Sequence, residues 1–349
     1  MEAPTVRTQV KDYYGQTLQS TADLRTSACC TDEALPAHHK AILADIADEV
    51  LARFYGCGSP LPPALDGCTV LDLGCGTGRD AFLAAALVGP AGRVIGIDMT
   101  EEQLAVAQRY EAEQAAQFGF DAPNTSFRLG DIEDLTAAGI EDESVDVVIS
   151  NCVINLATDK QAVFAEIFRV LKPGGELYFS DVFADRRIPS DVAADPVLYG
   201  ECLGGALYIE DFRRMMQAVG CADYRVVTQR PLTVDDPALA AKLGNIRFSS
   251  VTVRAFKLAS LEDRCEDFGQ VATYDGTIPE HPHAFALDDH HVFETGRPML
   301  ICGNSAAMVE ETRYGRHFRV VGDRSVHYGL FDCAPAPASV AGEASGGCC

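Results

Sequence analysis

A glycine-rich loop is the first place in this sequence where residue types and spacing could do chemistry. It reads Asp72-Leu73-Gly74-Cys75-Gly76-Thr77-Gly78, after a predicted strand and before a predicted helix. Glycines at alternate positions let the backbone turn tightly and approach a ligand closely. A dinucleotide-binding loop would carry its third glycine where Arg79 stands, so the spacing disfavours a nicotinamide cofactor.

Two acidic positions follow the loop at the ends of later predicted strands. Asp98 ends the second strand, and Asp131-Ile132 comes directly after the third. Together with the G-x-G-x-G loop, this arrangement resembles the class I S-adenosylmethionine methyltransferases. The resemblance implies that Asp98 accepts hydrogen bonds from the ribose of the cofactor and that Asp131 and Ile132 bracket its adenine.

Cysteines occur in several segments that could meet this cofactor. Ligands of open α/β sheets bind beyond the carboxyl ends of the strands, and Cys152 follows the fourth strand there. Cys202 follows the fifth strand, and Cys57 lies on a turn before the first. Cys29 and Cys30 form a pair further upstream. Thiols therefore stand where methyltransferases acting on nitrogen or oxygen usually place a polar clamp, an aromatic ring or a general base.

The segments around these cysteines resemble the arsenite methyltransferases of algae, animals and microbes. The likeness runs from Tyr13-Tyr14-Gly15 to Gly346-Gly347-Cys348-Cys349, closely before about residue 215 and loosely after it. It implies that Cys152 and Cys202 hold arsenic, that Cys57 is a third ligand, and that Cys29 pairs with Cys57 during redox turnover. It also implies further residues that line the cofactor site: Tyr55, Met99, Glu133 and Asn151.

Some positions depart from this family pattern. Ala81 stands where animal relatives carry an extra cysteine, so that cysteine is not essential here. Tyr199 and Tyr208 stand where some relatives carry tryptophan, so the sequence does not decide which aromatic residues form the wall of the site. Cys30 lies next to Cys29, so either of the two could be the redox partner.

The implied chemistry explains why sulfur is needed. Arsenic(III) is soft and prefers thiolates, and three of them leave a pyramidal centre with one lone pair. If that lone pair points at the sulfonium methyl, transfer is an in-line displacement governed by proximity and orientation. No general base is required, because arsenic has no proton to lose. Methylation oxidises arsenic, and a dithiol can return it to the trivalent state by forming a disulfide that glutathione or thioredoxin reopens. We therefore expect arsenite and thiol-complexed methylarsenite as substrates, and mono- and dimethylated arsenicals as products.

The elements that must position these residues alternate between buried strands and helices from about residue 66 onward. This alternation predicts an α/β fold, a doubly wound and mostly parallel sheet with helices on both faces. Beyond about Ser260, short strands and Gly-containing turns predict a smaller C-terminal α+β domain. The predicted division is a helical segment (1–65), a methyltransferase domain (66–258), the small domain (259–333) and a disordered tail (334–349).

Charge and composition limit the partners. The net charge is −23 and the sequence pI is about 4.6, which disfavours nucleic acid and anionic membranes. The longest apolar stretch, Ala81 to Val88, is too short to cross a bilayer, and no secretory signal is evident. The thirteen cysteines lack the paired spacing of zinc sites. We expect a cytoplasmic monomer with reduced thiols.

Two other functions remain open at this point. The chain could methylate an organic small molecule such as a quinone or a sterol, with incidental cysteines, or it could bind soft metals without turnover. Buried cysteines often act as small hydrophobic residues, and we assign Cys68 and Cys221 to packing. The histidine-rich stretch from His281 to His291 is predicted to be a solvated surface.

Overall fold

The computed structural model describes residues 35–54, 56, 58 and 60–333. Its largest element is an eight-stranded sheet, in which the seven strands of the main path lie in the order β3-β2-β1-β4-β5-β8-β7 and β6 pairs with β5. The strands are β1 Thr69–Leu73, β2 Arg93–Asp98, β3 Thr125–Leu129, β4 Val145–Asn151, β5 Leu171–Ala184, β6 Leu207–Tyr208, β7 Tyr224–Leu232 and β8 Phe248–Phe256.

The sheet is parallel from β3 to β5 and antiparallel at its other edge. β1 pairs in parallel with β2 and β4, and β5 pairs in parallel with β4 and β6. β8 lies antiparallel between β5 and β7. Val147, Val148 and Ile149 in β4 are completely buried, as expected for a central strand covered by helices on both faces. The predicted doubly wound, mostly parallel α/β fold is confirmed.

Nine helices of the described chain precede the C-terminal unit. They are α1 Ala37–Leu43, α2 Asp48–Leu51, α3 Arg79–Val88, α4 Glu101–Gln117, α5 Lys160–Val170, α6 Ser190–Ala193, α7 Pro196–Gly200, α8 Ile209–Ala218 and α9 Pro237–Leu243. Among the described residues, no helix combines the length and apolarity needed to cross a membrane.

The helical segment predicted over residues 1–65 is interrupted in its described part. α1 ends at Leu43, and α2 begins only at Asp48. The side chain of Gln114 in α4 hydrogen-bonds to the residues between α1 and α2. Its amide nitrogen donates to the carbonyl of Asp45 at 3.0 Å, and its amide oxygen accepts from the backbone amide of Ala47 at 2.9 Å. A tertiary contact thus replaces helical hydrogen bonds, which apolar spacing does not reveal.

Residues after β8 form a separate hydrophobic core. Tyr274, Phe285, Tyr314 and Phe318 pack there edge-to-face or tilted. The elements are β9 Glu266–Asp267, β10 Gln270–Tyr274, β11 Ala284–Ala286, β12 Val292–Glu294, β13 Met299–Ile301, helix α10 Gly303–Glu310, β14 Phe318–Val321 and β15 Gly329–Leu330. β10 pairs antiparallel with β13 and β14. This mixture of short strands and a helix is an α+β arrangement.

A buried ion network joins this core to the main sheet. Glu176 of β5 is fully buried and pairs with Arg254 of β8 and with Arg313. Arg254 also donates to the carbonyl of Leu287 at 2.6 Å, and Arg313 donates to that of Ala64 at 3.1 Å. Buried charges require such pairing, so this network fixes the C-terminal unit against the sheet.

The histidine-rich stretch is not simply a solvated surface. His291 is buried, and its Nδ1 lies 2.8 Å from an oxygen of Asp288. Asp288 also pairs with buried Arg225 of β7 at 2.9 Å. The expectation is wrong for His291, because its hydrogen bond with Asp288 compensates for burial.

We predict an acid-sensitive contribution of His39 to stability. Burial, helped by the nearby His38 and His281, lowers the pKa of His39 from 6.5 to about 4. The folded state thus prefers the neutral ring, and its contribution is complete above pH 6.5 and lost as the pH falls toward 4. Urea unfolding at both pH values should show a loss of about 1–3 kcal/mol from this group. That loss should be absent in His39→Gln and retained in His283→Gln, a control at an exposed position; equal pH profiles for both variants would contradict this assignment.

Candidate functional site

The glycine-rich loop turns between β1 and α3 as the sequence predicts. Gly74, Gly76 and Gly78 have positive φ angles of 68°, 53° and 90°, which favour glycine. The Gly74 amide donates to the carbonyl of Ile97 in β2 at 2.7 Å. A Cβ added at Gly76 would meet nothing within 4 Å. The loop therefore leaves an open cradle on its Gly76 side.

Asp98 fixes this loop from the end of β2. One carboxylate oxygen accepts from the Gly76 amide at 2.8 Å, and the other accepts from the Thr100 amide at 2.8 Å. Burial raises the pKa of Asp98, and these amide hydrogen bonds oppose the shift. The carboxylate thus shapes the loop and borders the same pocket.

Asp72 presents an unusual oxygen beside the loop. The residue is only 3% exposed, and its Oδ2 has no hydrogen-bond partner among the described residues. Burial and the neighbouring Asp80 and Asp98 raise its pKa well above the usual value. An unsatisfied buried carboxylate oxygen is costly, so this atom is an acceptor suited to a polar or cationic group of a ligand.

A single pocket collects most of the predicted cofactor residues. Those that line it are Asp72, Gly74, Gly76, Asp98, Met99, Asp131, Ile132, Glu133 and Asn151, together with Cys152. Gly78 is not in the lining but precedes α3, where a Cβ would come within 2.9 Å of Phe127. Tyr55, Cys57, Cys29 and Cys30 lie outside the described residues.

Asn151 is held at the end of β4 by a residue that the motifs did not single out. Its amide nitrogen donates to Asp80 at 2.8 Å and to the carbonyl of Gly58 at 2.9 Å. Asp80 in turn pairs with Arg79 at 2.9 Å, and the Arg79 guanidinium lies 3.7 Å from the centre of the Phe54 ring. α3 therefore fixes both the strand end and the segment before the first strand.

Glu133 ties the adjoining loop together. Its carboxylate accepts from the amides of Thr158 at 2.6 Å and Asp159 at 3.1 Å, and from the Thr158 hydroxyl. Its own amide donates to Asp131 at 2.9 Å. The pocket wall after β3 is thus joined to the segment before α5.

Cys152 and Cys202 meet at the carboxyl ends of the parallel strands, as predicted. Their sulfur atoms and a carboxylate oxygen of Asp181 lie within 4.8 Å of one another. The Cys202 thiol donates to the carbonyl of Cys152 at 3.1 Å. All three residues are buried. Cys152 is disulfide-bonded in this structure.

Both cysteines have strained backbones. The φ angle is 57° at Cys152 and 64° at Cys202, and only two other described non-glycine residues have positive values. A non-glycine residue in this region costs of order 1–3 kcal/mol and persists where the surroundings impose it, often at functional sites. The two predicted arsenic ligands therefore share a conformation that packing alone does not favour.

Buried charges surround the two sulfur atoms. Burial raises the pKa of Asp181 to about 7, although amides and the nearby Lys160 oppose the shift. The Asn155 side chain donates to Asp181 at 2.7 Å. Burial lowers the pKa of Lys160, and the attraction of Asp181 and Cys202 opposes that change. A cation therefore lies close enough to Cys202 to favour its thiolate.

Comparison with known proteins decides between the functions left open by the sequence. Residues 64–220 match the family model of a methyltransferase domain. The chain is 53% identical over 323 residues to the arsenite methyltransferase of Aquipseudomonas alcaligenes, covering 93% of each protein. It is 38% identical to that of Homo sapiens, over 99% of this chain and 96% of the human protein. The chain belongs to the arsenite methyltransferases.

A solved structure extends this likeness to the fold. The arsenite methyltransferase resembles the crystal structure of an arsenic(III) S-adenosylmethionine methyltransferase from Chlamydomonas reinhardtii, with a TM-score of 0.83 and 51% identity. The match covers 86% of this chain and all of that one. The protein is thus an enzyme that methylates arsenic with S-adenosylmethionine. An organic acceptor and a non-catalytic metal-binding role are set aside.

The pocket of this arsenite methyltransferase fits that cofactor. The open cradle at Gly76 admits a close ligand, and the unpartnered Asp72 oxygen offers an acceptor to the amino group of its methionine part. Asp98, whose backbone-bound carboxylate borders the pocket, offers an acceptor for hydroxyl groups. The carboxylate oxygens of Asp72 and Asp98 are acceptors that match the donor groups of the cofactor's amine and ribose.

The motifs missed Asp181 and Lys160. A signal existed for Asp181, because a carboxylate inside the apolar run from Leu177 to Phe183 is rarely buried without a purpose. No comparable signal existed for Lys160, since its position opens an ordinary amphipathic helix. Only the fold brings Lys160 near Cys202.

We predict that Gly74→Ala destabilises the enzyme and weakens its cofactor binding. A Cβ there would lie 2.4 Å from two carbon atoms of Val153, and φ is positive. We expect a loss of about 1–3 kcal/mol from the clash, beyond the backbone cost. Gly119→Ala is the matched control, because its φ is 76° and its Cβ would meet nothing within 4 Å. Urea unfolding and cofactor titration check both; equal losses in the two variants would contradict the argument.

Proposed function

We propose that the arsenite methyltransferase holds arsenic(III) on Cys152 and Cys202, with Cys57 as the third thiolate. The observation that carries this proposal is the convergence of the Cys152 and Cys202 sulfur atoms beside the cofactor pocket. Cys57 enters on family resemblance, since it lies outside the described residues. Thiolates suit soft arsenic, and the strained backbones of the two described cysteines support a role beyond packing.

Loading exchanges oxygen for sulfur on arsenic. Three As–S bonds form and three As–O bonds break, and the three thiol protons leave with the hydroxides as water. No electron is transferred in this step. Lys160 assists by stabilising the Cys202 thiolate. Because Cys152 is disulfide-bonded in this structure, that bond must first be reduced.

The methyl acceptor in this proposal is the lone pair of the thiolate-bound arsenic. S-adenosylmethionine supplies an electrophilic methyl group on its sulfonium. The protein orients the acceptor, because Cys152 lies both in the cofactor pocket and in the cysteine pair. Catalysis thus depends on proximity and alignment, with no residue needed as general base.

We propose roles for the pocket residues in holding the cofactor. Asp98 accepts from the ribose hydroxyl groups, and Asp72 accepts from the amino group. Asp131 and Ile132 bracket the adenine. The remaining wall is assigned to Tyr55, Met99, Glu133 and Asn151, with the loop glycines Gly74, Gly76 and Gly78 allowing close approach.

Repeated turnover in this proposal requires thiol chemistry. Methylation leaves arsenic pentavalent, and Cys29 with Cys57 returns it to the trivalent state by forming a disulfide, which glutathione or thioredoxin reopens. Methylarsenite can then be methylated again to give dimethylated product. This redox cycle suits a monomer in the reducing cytoplasm.

We predict that replacing both Cys29 and Cys30 with serine allows the first methylation but prevents later ones. The first transfer needs no reduction of arsenic, whereas the second does. Single-turnover assays with arsenite should still yield monomethylated arsenic, and multiple-turnover assays should accumulate it. Dimethylated product forming at the parental rate would count against this redox role.

Anomalous diffraction at the arsenic absorption edge tests the acceptor site directly. Reduced crystals soaked with arsenite should show an arsenic peak bonded to the Cys152 and Cys202 sulfur atoms. This peak should vanish in Cys202→Ser and persist in Cys68→Ser, a buried cysteine outside the three described residue groups that could hold a metal. An unchanged peak in Cys202→Ser would exclude the proposed ligand set.

A further inference from the structure

Three cysteines of the C-terminal unit converge away from the acceptor site. Cys265 precedes β9, Cys302 precedes α10, and Cys333 follows β15. Their sulfur atoms all lie within 4.8 Å of one another. Cys302 is fully buried and the other two are half-buried. None of them lines the cofactor pocket, and the sequence motifs assigned them no role.

The fold holds these cysteines together through backbone pairing. β9 and β15 pair antiparallel, and the amide of Phe331 donates to the carbonyl of Cys265 at 2.7 Å. This pairing keeps Cys265 and Cys333 at one end of the two paired strands. Cys302 caps α10, since its sulfur accepts from the Ser305 amide at 3.4 Å and lies 3.3 Å from the Ser305 hydroxyl. The cluster is therefore largely preorganised.

The charges around the cluster favour one thiolate. Arg225 is buried, and its guanidinium lies 3.8 Å from the Cys302 sulfur. A hydrogen bond from Cys265, with help from Arg225, holds the pKa of Cys302 well below its usual value. The same contact raises the pKa of Cys265, and burial raises that of Cys333 to about 11. The guanidinium of Arg225 therefore lies where it can attract a thiolate of the cluster.

We propose that Cys265, Cys302 and Cys333 form a second, three-coordinate arsenic(III) site. Structural zinc sites have four ligands, whereas no fourth Cys, His, Asp or Glu of the described residues joins this group. Three sulfur atoms complete the coordination of arsenic(III), whose lone pair occupies the remaining position. The positive charge of Arg225 beside the cluster repels a divalent cation, whereas it does not repel an uncharged arsenic hydroxide. Arsenic(III), the substrate of the enzyme, is a soft centre that prefers such sulfur ligands.

Binding balances without an oxidant or a reductant. Arsenous acid exchanges its three hydroxides for the three sulfur atoms, so three As–O bonds break and three As–S bonds form. Three protons, from the thiols or from solvent, combine with the hydroxides, and three water molecules leave. Arsenic held there is remote from the pocket lining and is stored without being methylated.

Cysteine alkylation in the full-length, reduced enzyme tests this site. The test uses Cys152→Ser/Cys202→Ser protein, which lacks the acceptor pair, so failure of the proposed methylation site does not affect the result. Stoichiometric arsenite should abolish iodoacetamide labelling of the half-buried Cys265 and Cys333, measured by peptide mass spectrometry. Zinc at the same concentration should leave the labelling unchanged.

Further substitutions assign the protection to the cluster. Cys302→Ser, added to that protein, should restore labelling of Cys265 and Cys333 while retaining an oxygen acceptor for the helix cap. Should that variant unfold, Cys333→Ser offers a half-buried position, and it should restore labelling of Cys265. Cys68→Ser should retain full protection. Labelling unaffected by arsenite, protection by zinc instead, or protection that survives both Cys302→Ser and Cys333→Ser would overturn the proposal.

Discussion

Serine at both Cys152 and Cys202 should abolish arsenic methylation while leaving cofactor binding intact. The hydroxyl group is a hard ligand that does not hold arsenic(III) as a thiolate does. Even each single substitution should lower the rate by at least about 10²-fold, because misplacing a reacting centre by an ångström costs that much. The measurement is chromatographic separation of arsenic species after incubation with arsenite, S-adenosylmethionine and glutathione.

Two controls make this result specific to the acceptor site. Cys68→Ser changes another buried cysteine and should retain parental activity, since within the described chain its thiol donates to backbone carbonyls and does not line the cofactor pocket. Calorimetric binding of S-adenosylhomocysteine by the double variant should match the parent and shows that the pocket remains folded. Methylated arsenic formed at the parental rate by the double variant would eliminate these cysteines as ligands.

Asp98→Ala should weaken cofactor binding about ten-fold to 100-fold, since a hydrogen bond to a charged group contributes about 1.5–3 kcal/mol. The carboxylate has two functions in our account. It would accept from the ribose, and it already fixes the loop through the amides of Gly76 and Thr100. Asp98→Asn retains one carbonyl oxygen as acceptor, so its loss should be smaller. Calorimetric titration with S-adenosylhomocysteine measures both.

The control for this prediction is another acidic residue far from the pocket. Glu294→Ala removes an exposed carboxylate whose ion-pair partner in the described chain is Arg297. Ion pairs at the surface contribute little to stability. Its cofactor affinity should equal that of the parent. If Asp98→Ala bound the cofactor as tightly as this control does, the assignment of Asp98 would be wrong.

The strained cysteines connect stability with function. Positive φ values at Cys152 and Cys202 cost folding free energy, and the burial of Asp181 and Lys160 adds a further cost. The large apolar cores around the sheet offset these costs. The acceptor site thus lowers the folding stability, and the packing of the sheet supplies the stability that this site lacks. Such a combination is common where chemistry needs a fixed geometry.

The sequence by itself determined the sheet and the cofactor loop. Asp98 ends β2 as predicted, and α3, α4 and α5 follow β1, β2 and β4 as the expected alternation of strands and helices requires. Such elements are readable because buried strands and amphipathic helices have fixed periodicities. The loop is readable because positive φ at alternate positions requires glycine. Placing Cys152 and Cys202 at one edge followed from the shared direction of parallel strands.

Only the tertiary structure decided which charges and thiols meet. Lys160 lies near Cys202 because α5 begins where the wall of the pocket ends. Cys265, Cys302 and Cys333 converge through the pairing of two sequence-distant strands and a helix cap. Gln114 interrupts the first helical segment through hydrogen bonds across 67 and 69 residues. Periodicity reports only how each segment faces the core, and contacts between segments depend on how the elements pack.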